Sequence, residues 1–136
     1  MELTSLIAKT KTIKVPFPDM QGFVVEINYI GKEEIRKITE KCKTVGFDKK
    51  TRQPTESIDD ELFAKNYVNK SLVGWSGLKY DFLKELILVE EGAGWDGEAL
   101  VDYTETNAYT LVTNSSTFDT WLSSVMSDIS LFNKGS

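Results

Sequence analysis

The chain has 136 residues, of which 40% are hydrophobic and 27% charged. That is about one domain, long enough to bury roughly 68% of its unfolded surface and outside disordered or fibrous composition. A net charge of −5 and a pI near 4.8 argue against a nucleic-acid binder, which meets phosphates with clustered Lys and Arg. One cysteine and no histidine remove an internal disulfide, Ser-His-Asp and Cys-His catalysis, and imidazole-bound zinc.

The start has no apolar run of secretory length, and no window approaches the ~18 apolar residues of a membrane span. The expectation is a single domain over 1–136, with 1–9 as a mobile start, located in the cytoplasm where it is made. Thr10 to Val15 alternates like a half-buried strand, and Pro16-Phe17-Pro18-Asp19 then makes a turn. From Phe23 to Tyr29 the alternation resumes, with Phe23, Val25, Ile27 and Tyr29 on one face. Together these predict an antiparallel hairpin.

Beyond Gly31, Ile35, Ile38, Cys42 and Val45 recur at spacings of three and four, which predicts an amphipathic helix from Lys32 to about Val45 with Cys42 as a small buried residue. Phe47 to Ser57 is polar, contains Pro54 and carries Lys49, Lys50 and Arg52, so it reads as an exposed loop. A second helix starts near Ser57-Ile58-Asp59-Asp60, with Ser57 as cap and Leu62, Phe63 and Tyr67 as its buried stripe. It ends at a corner, Gly74-Trp75-Ser76-Gly77, where the indole packs inward and the glycines give the backbone room.

Phe82 to Val89 fits a helix or a strand equally well. Residues 90–103 read as a loop and Thr104 to Val112 as a short helix. The terminal helix begins at Ser116-Thr117-Phe118-Asp119 and aligns Phe118, Trp121, Leu122, Val125, Met126, Ile129 and Phe132 on one stripe. That stripe is longer than a small domain readily buries. Trp121, Val125, Met126, Ile129 and Phe132 are therefore the candidate partner or self-association residues, with Val125, Met126 and Phe132, furthest from the cap, expected to project beyond the core.

No catalytic or metal constellation emerges. Gly92-Ala93-Gly94-Trp95-Asp96-Gly97 spells G-x-G-x-x-G, but too little chain follows for a strand-helix-strand unit, and Glu90, Glu91 and Asp96 would repel a pyrophosphate. The pairs Glu33-Glu34 and Asp59-Asp60 sit where helix first turns are expected, so they complement the helix dipole. No cofactor is expected.

The fold class that follows is α+β, an N-terminal antiparallel hairpin packed on a mainly helical body. In the order of its elements, in the Val15-Pro16-Phe17-Pro18 to Gly22-Phe23 hairpin, the Lys49-Lys50-Thr51-Arg52 loop, the Trp75-x-Gly77-Leu78 corner and the closing Leu131-Phe132-Asn133, the chain resembles the small tail assembly chaperones of long-tailed bacteriophages. The resemblance implies a non-enzymatic helper in the host cytoplasm that binds the tape measure protein before the tail tube polymerises, self-associates into a homo-oligomer, and has a longer frameshifted form. Neither nucleic acid nor membrane is an expected partner. A virion structural protein of the tail or head-completion kind shares the same design and is the alternative expectation.

Overall fold

A computed structural model describes residues 2–7, 11–47, 50 and 53–134. The basic stretch Lys49-Lys50-Thr51-Arg52 lies, apart from Lys50, outside them. Of the start read as mobile, residues 2–7 are described and Leu3–Ser5 form a 3-10 turn.

Strands β1 (Thr12–Pro16) and β2 (Val24–Asn28) pair antiparallel with Ile13 opposite Ile27 and Val15 opposite Val25. The fold is α+β as the pattern predicts, and the hairpin gains a third strand. That strand is β5 (Leu72–Ser76), antiparallel to β2 on its other side, so that β2 is central. Alternation puts Val25 and Ile27 on the inner face without solvent exposure, and Leu72 and Trp75 join them from β5. The hairpin turn is held by Phe17 N–H donating to the Phe23 carbonyl at 2.9 Å and Phe23 N–H to Met20 at 3.1 Å. Phe17, Met20 and Phe23 fold inward from it.

Helix α1 (Lys32–Lys41) ends earlier than its periodicity suggested, at Cys42. Val45 is 70% exposed and belongs to β3 (Lys43–Phe47), which pairs antiparallel with β4 (Pro54–Ile58) in a separate two-stranded ribbon. Of the segment expected as a loop, Phe47 and residues 54–57 are strand, and residues 48, 49, 51 and 52 lie outside the described residues. Gly46, disfavoured inside a helix, was the signal for the break. The ribbon's base is fixed by Asp59 N–H donating to the Cys42 carbonyl at 2.9 Å.

Helix α2 (Asp60–Ser71) is capped by Asp59, not Ser57: the Asp59 carboxylate accepts from Leu62 N–H at 3.1 Å. Its fully buried positions are Val68 and Ser71, whereas Leu62 is 40% exposed. Phe63 and Tyr67 are half-buried over a small second cluster formed by Ile30, Ile38 and Cys42. Cys42 is buried as expected, with Asn66 Nδ2 3.6 Å from its Sγ.

After a short helix α3 (Tyr80–Leu83), the loop up to residue 103 is laced back onto the corner. Val101 N–H donates to Leu78 at 2.7 Å, and Tyr80 N–H to Ala99 at 3.0 Å. Helix α4 (Glu105–Asn114) is capped by Thr104, and α5 (Ser116–Ser127) by Ser115, whose hydroxyl accepts from Phe118 N–H at 3.0 Å. The last stripe does not run straight: the chain turns at Asp128 and restarts as α6 (Ile129–Lys134). Val68, Ala108, Leu111, Phe118 and Leu122 from α2, α4 and α5 cover the inner face of the sheet.

The corner divides its work between its residues. Gly74 lies within β5 opposite Glu26, and a β-carbon there would meet the Glu26 carboxylate. Gly77 has φ +75°, and a β-carbon would collide with the backbone carbonyl of Gly22. Trp75 is half-buried against the core, its Nε1–H donating to the Val101 carbonyl at 2.9 Å and its ring 5.2 Å from Tyr103 in an edge arrangement. The indole is therefore a peg that also ties down the 98–103 segment.

Gly77→Val is expected to destabilise the fold by about 3 kcal/mol or more, since it adds left-handed strain to a backbone clash. Trp75→Phe should cost about 1 kcal/mol, the value of one hydrogen bond, in urea denaturation. Equal costs for the two variants would contradict this division.

Candidate functional site

A groove of about 600 Å³ lies between the N-terminal segment, the start of α1 and α6. Its apolar walls are Leu6 and Ile7 on one side and Ile129 and Phe132 on the other, with Tyr29 between. Leu6, Ile7 and Ile129 are 63%, 68% and 55% exposed, an unusual concentration for apolar side chains of a small acidic protein.

The groove arises from the turn at Asp128. Its carboxylate accepts from Ser130 N–H at 3.2 Å and from the Ser130 hydroxyl at 2.6 Å, and these bonds, led by the hydroxyl, hold the carboxyl below its usual range. Redirected there, α6 turns Ile129 outward and Phe132 inward, where its ring lies 5.1 Å from that of Tyr29.

The rim is charged. Lys11 and Lys32 line the groove and make no ion pair among the described residues. Glu33 and Glu34 also line it, but both are already engaged: Glu33 by Arg36 at 2.7 Å, Glu34 by Lys70 at 3.1 Å and Lys37 at 3.5 Å. The hydrogen bond from Lys70, then the charges of Lys70 and Lys37, hold the Glu34 carboxyl below the ordinary carboxylate range. With its acids neutralised, the rim presents positive charge on a chain that is negative overall.

The structure redistributes the residues proposed for partner contact. Val125, Met126 and Phe132 do not project beyond the core: they are 6%, 8% and 2% exposed and belong to the main cluster. Trp121 is half-buried in an aromatic group, its ring 4.8 Å from Phe17 and 5.6 Å from Phe118. The reason is the sheet: its inner face is broad enough to take the whole α5 stripe, and the Asp128 turn brings Phe132 back onto it. Of the five, Ile129 remains open to solvent, and Phe132 reaches the groove only as part of its wall.

Leu6, Ile7, Lys11, Tyr29 and Lys32 are groove residues that sequence reasoning missed. The signal available was Leu3, Leu6 and Ile7 at helical spacing in a segment set aside as mobile. Elsewhere, residues 92–97 form turns with Gly94 at φ +86°, exposed apart from the half-buried Trp95 and Gly97, and the next helix of more than one turn begins only at Glu105. Asp59 and the pair Glu33-Glu34 sit at helix starts as expected. No helix among the described residues is long and apolar enough to cross a membrane. No group of three or more metal-ligating side chains occurs among them.

No family model, curated protein or solved structure matches the chain.

Phe132→Ala is expected to cost about 3 to 5 kcal/mol as a buried aromatic truncation, and Ile129→Ser less than about 0.5 kcal/mol. Removing residues 124–136 should therefore unfold the protein by circular dichroism, because it strips Val125, Met126 and Phe132 from the core. The Glu34–Lys70 pair gives a pH test. A carboxyl with a depressed folded-state pKa contributes stability that is fully present above the ordinary carboxylate range and is lost as pH falls through the folded value. In urea titrations the advantage of wild type over Glu34→Gln should accordingly be largest near neutrality and vanish in acid.

Proposed function

We propose that the chain is a non-enzymatic assembly helper that shields an apolar helical segment of a partner. This keeps the resemblance to tail assembly chaperones and moves the partner surface from α5 to the groove. The observation that carries the reading is the groove itself, where Leu6, Ile7 and Ile129 stand exposed around a concave apolar floor. An amphipathic helix laid there would place residues at i, i+3 or i+4, and i+7 against these side chains.

The partner of this kind is a tape measure protein, long and mostly helical, whose apolar stripes need cover until tail tube protein polymerises around it. A longer frameshifted form would carry the same groove into the next assembly step. The host cytoplasm is where such work takes place. The chain's acidity suits the role, since net charge keeps a complex of exposed apolar surfaces soluble.

A second reading, a structural component of the virion, is favoured by the β3–β4 ribbon. Val45 and Ile58 are exposed on it, as a strand pair destined to be covered in an assembly would be.

Co-expression with the tape measure protein is expected to yield a soluble complex, and Leu6→Glu with Ile129→Glu should abolish it without altering the circular dichroism spectrum. A tape measure protein equally soluble alone, or a complex indifferent to the double variant, overturns the reading. Mass spectrometry of purified particles separates the two roles, because a helper is absent from mature virions and a structural component is stoichiometric.

A further inference from the structure

A second concavity, of about 360 Å³, shares no residue with the groove and differs from it in chemistry. It lies between Tyr80, at the start of α3, and the turns from Gly92 to Asp96, and two of its lining rings, Tyr80 and Trp95, meet in an edge arrangement 5.5 Å apart. Neither ring belongs to the hydrophobic core. A β-carbon at Gly92 or Gly94 would meet nothing within 4 Å, so the glycines leave the space beside the rings open.

The rings are held in place from behind. The Trp95 Nε1–H donates to the Asp81 carboxylate at 3.2 Å, while the backbone N–H groups of Tyr80 and Asp81 donate to the carbonyls of Ala99 and Gly97, each at 3.0 Å. A β-carbon at Gly97 would fall on the Asp81 carboxylate, so the turn sits close against α3. A site ordered in this way pays less to bind.

Its surroundings are strongly negative. From Tyr80 to Glu105 the chain has eight carboxylates and one basic residue, Lys84. That lysine is committed to Glu91 at 2.5 Å and Asp81 at 3.5 Å, and its Nζ lies 5.6 Å from the centre of the Trp95 ring without lining the concavity. The chain thus already sets one cation against this indole. Glu85, Glu90 and Asp96 make no ion pair among the described residues. Asp96 lines the concavity, and because its Oδ1 accepts from Glu98 N–H at 3.0 Å, its other carboxylate oxygen is left for an incoming donor.

We propose that this concavity binds the guanidinium of an arginine in a basic peptide segment of a partner, stacked on the Trp95–Tyr80 pair and donating to Asp96. The electron-rich ring faces attract a cation, and arginine suits them better than lysine because its planar group stacks and presents parallel donors to a carboxylate. The volume suits one long side chain. The unpaired carboxylates around it steer a basic segment inward, so the contact is weak and salt-sensitive. It is independent of the apolar groove and of what the groove shields.

Titration of the ¹⁵N-labelled full chain with a blocked hexapeptide of alternating glycine and arginine tests this, read at the three indole N–H resonances and the Gly94 and Asp96 amides. The Trp95 indole should shift saturably in the low-millimolar range or tighter, with Trp75 and Trp121 unmoved as internal controls. Replacing arginine by lysine should weaken binding about threefold or more, and replacing it by glutamine should abolish it. Trp95→Leu and Tyr80→Leu should each weaken binding about tenfold, read at the two amides, whereas Trp95→Phe should keep part of it. Asp96→Asn should cost about two- to fivefold, the scale of an exposed charge pair, and tests the site without touching its rings. The groove variant Leu6→Glu with Ile129→Glu should bind the arginine peptide like wild type, which separates this inference from the functional reading. A Trp95 indole that does not respond overturns the proposal, as do lysine or glutamine peptides that bind equally well. Binding unchanged by both Trp95→Leu and Asp96→Asn, which would mean contact with the acidic surface at large, overturns it too.

Discussion

The main core is arranged around the packing of four aromatic rings at the turn end of the central strand. Phe17 and Phe23, from the hairpin turn, lie 5.5 Å apart. Phe118 meets them at 5.8 and 6.4 Å, and Trp121 closes the group. Phe23 and Phe118 have no solvent exposure. Offset and tilted ring pairs contribute about 0.5 to 1.5 kcal/mol each beyond the area they bury, and they fix direction as well as distance. This cluster sets where α5 crosses the sheet. Ser115 caps the helix directly before it, so the first turn of α5 is held at once by the Ser115 hydroxyl, which accepts from Phe118 N–H, and by an aromatic lock.

A second constraint acts on the same end of the molecule. Gly22 and Gly77, both with positive φ, bring the hairpin turn and the end of β5 into backbone contact that leaves no room for a side chain at residue 77. The strand pairing of β2 with β5 depends on that approach. So does the route of the following segment, which Trp75 and Tyr103 clamp to β5: the Tyr103 hydroxyl donates to the Leu72 carbonyl at 2.7 Å. The long irregular stretch between α3 and α4 is in this way ordered by side chains rather than by a ladder of its own, and Leu88 is left outside the clamp.

Where a residue's partners lay near in sequence, its role was legible. The hairpin and the burial of Cys42 follow from local pattern, and so does the start of α5, although its cap is Ser115 and not Ser116, because alternation and capping are short-range facts. Legibility failed where two continuations shared one pattern. Val45 fits the helical stripe of Ile35, Ile38 and Cys42 as well as it fits a strand; Gly46 beside it disfavours the helix, and the pairing with Glu56 makes it a strand. Val125, Met126 and Phe132 form the same stripe whether it faces a partner or the chain's own sheet. The sheet's capacity is a tertiary quantity, depending on β5 joining β2 across some 45 residues, and no window of sequence contains it. The groove was hidden for the same reason: its walls come from the first residues, from α1 and from the last helix.

The β3–β4 ribbon has a consequence of another kind. Its residues with described side chains are exposed, and it is joined to the body at a narrow base where Asp59 meets Cys42. Its length is therefore decoupled from the packing of the core. Adding or removing residue pairs at its tip changes how far the chain reaches, at a cost that grows only logarithmically with loop length, while the aromatic lock and the glycine contact are left as they are. Among relatives of this chain, wherever they are found, the ribbon is the place where length should vary most, and variation there would mark what each copy has to span rather than how it folds.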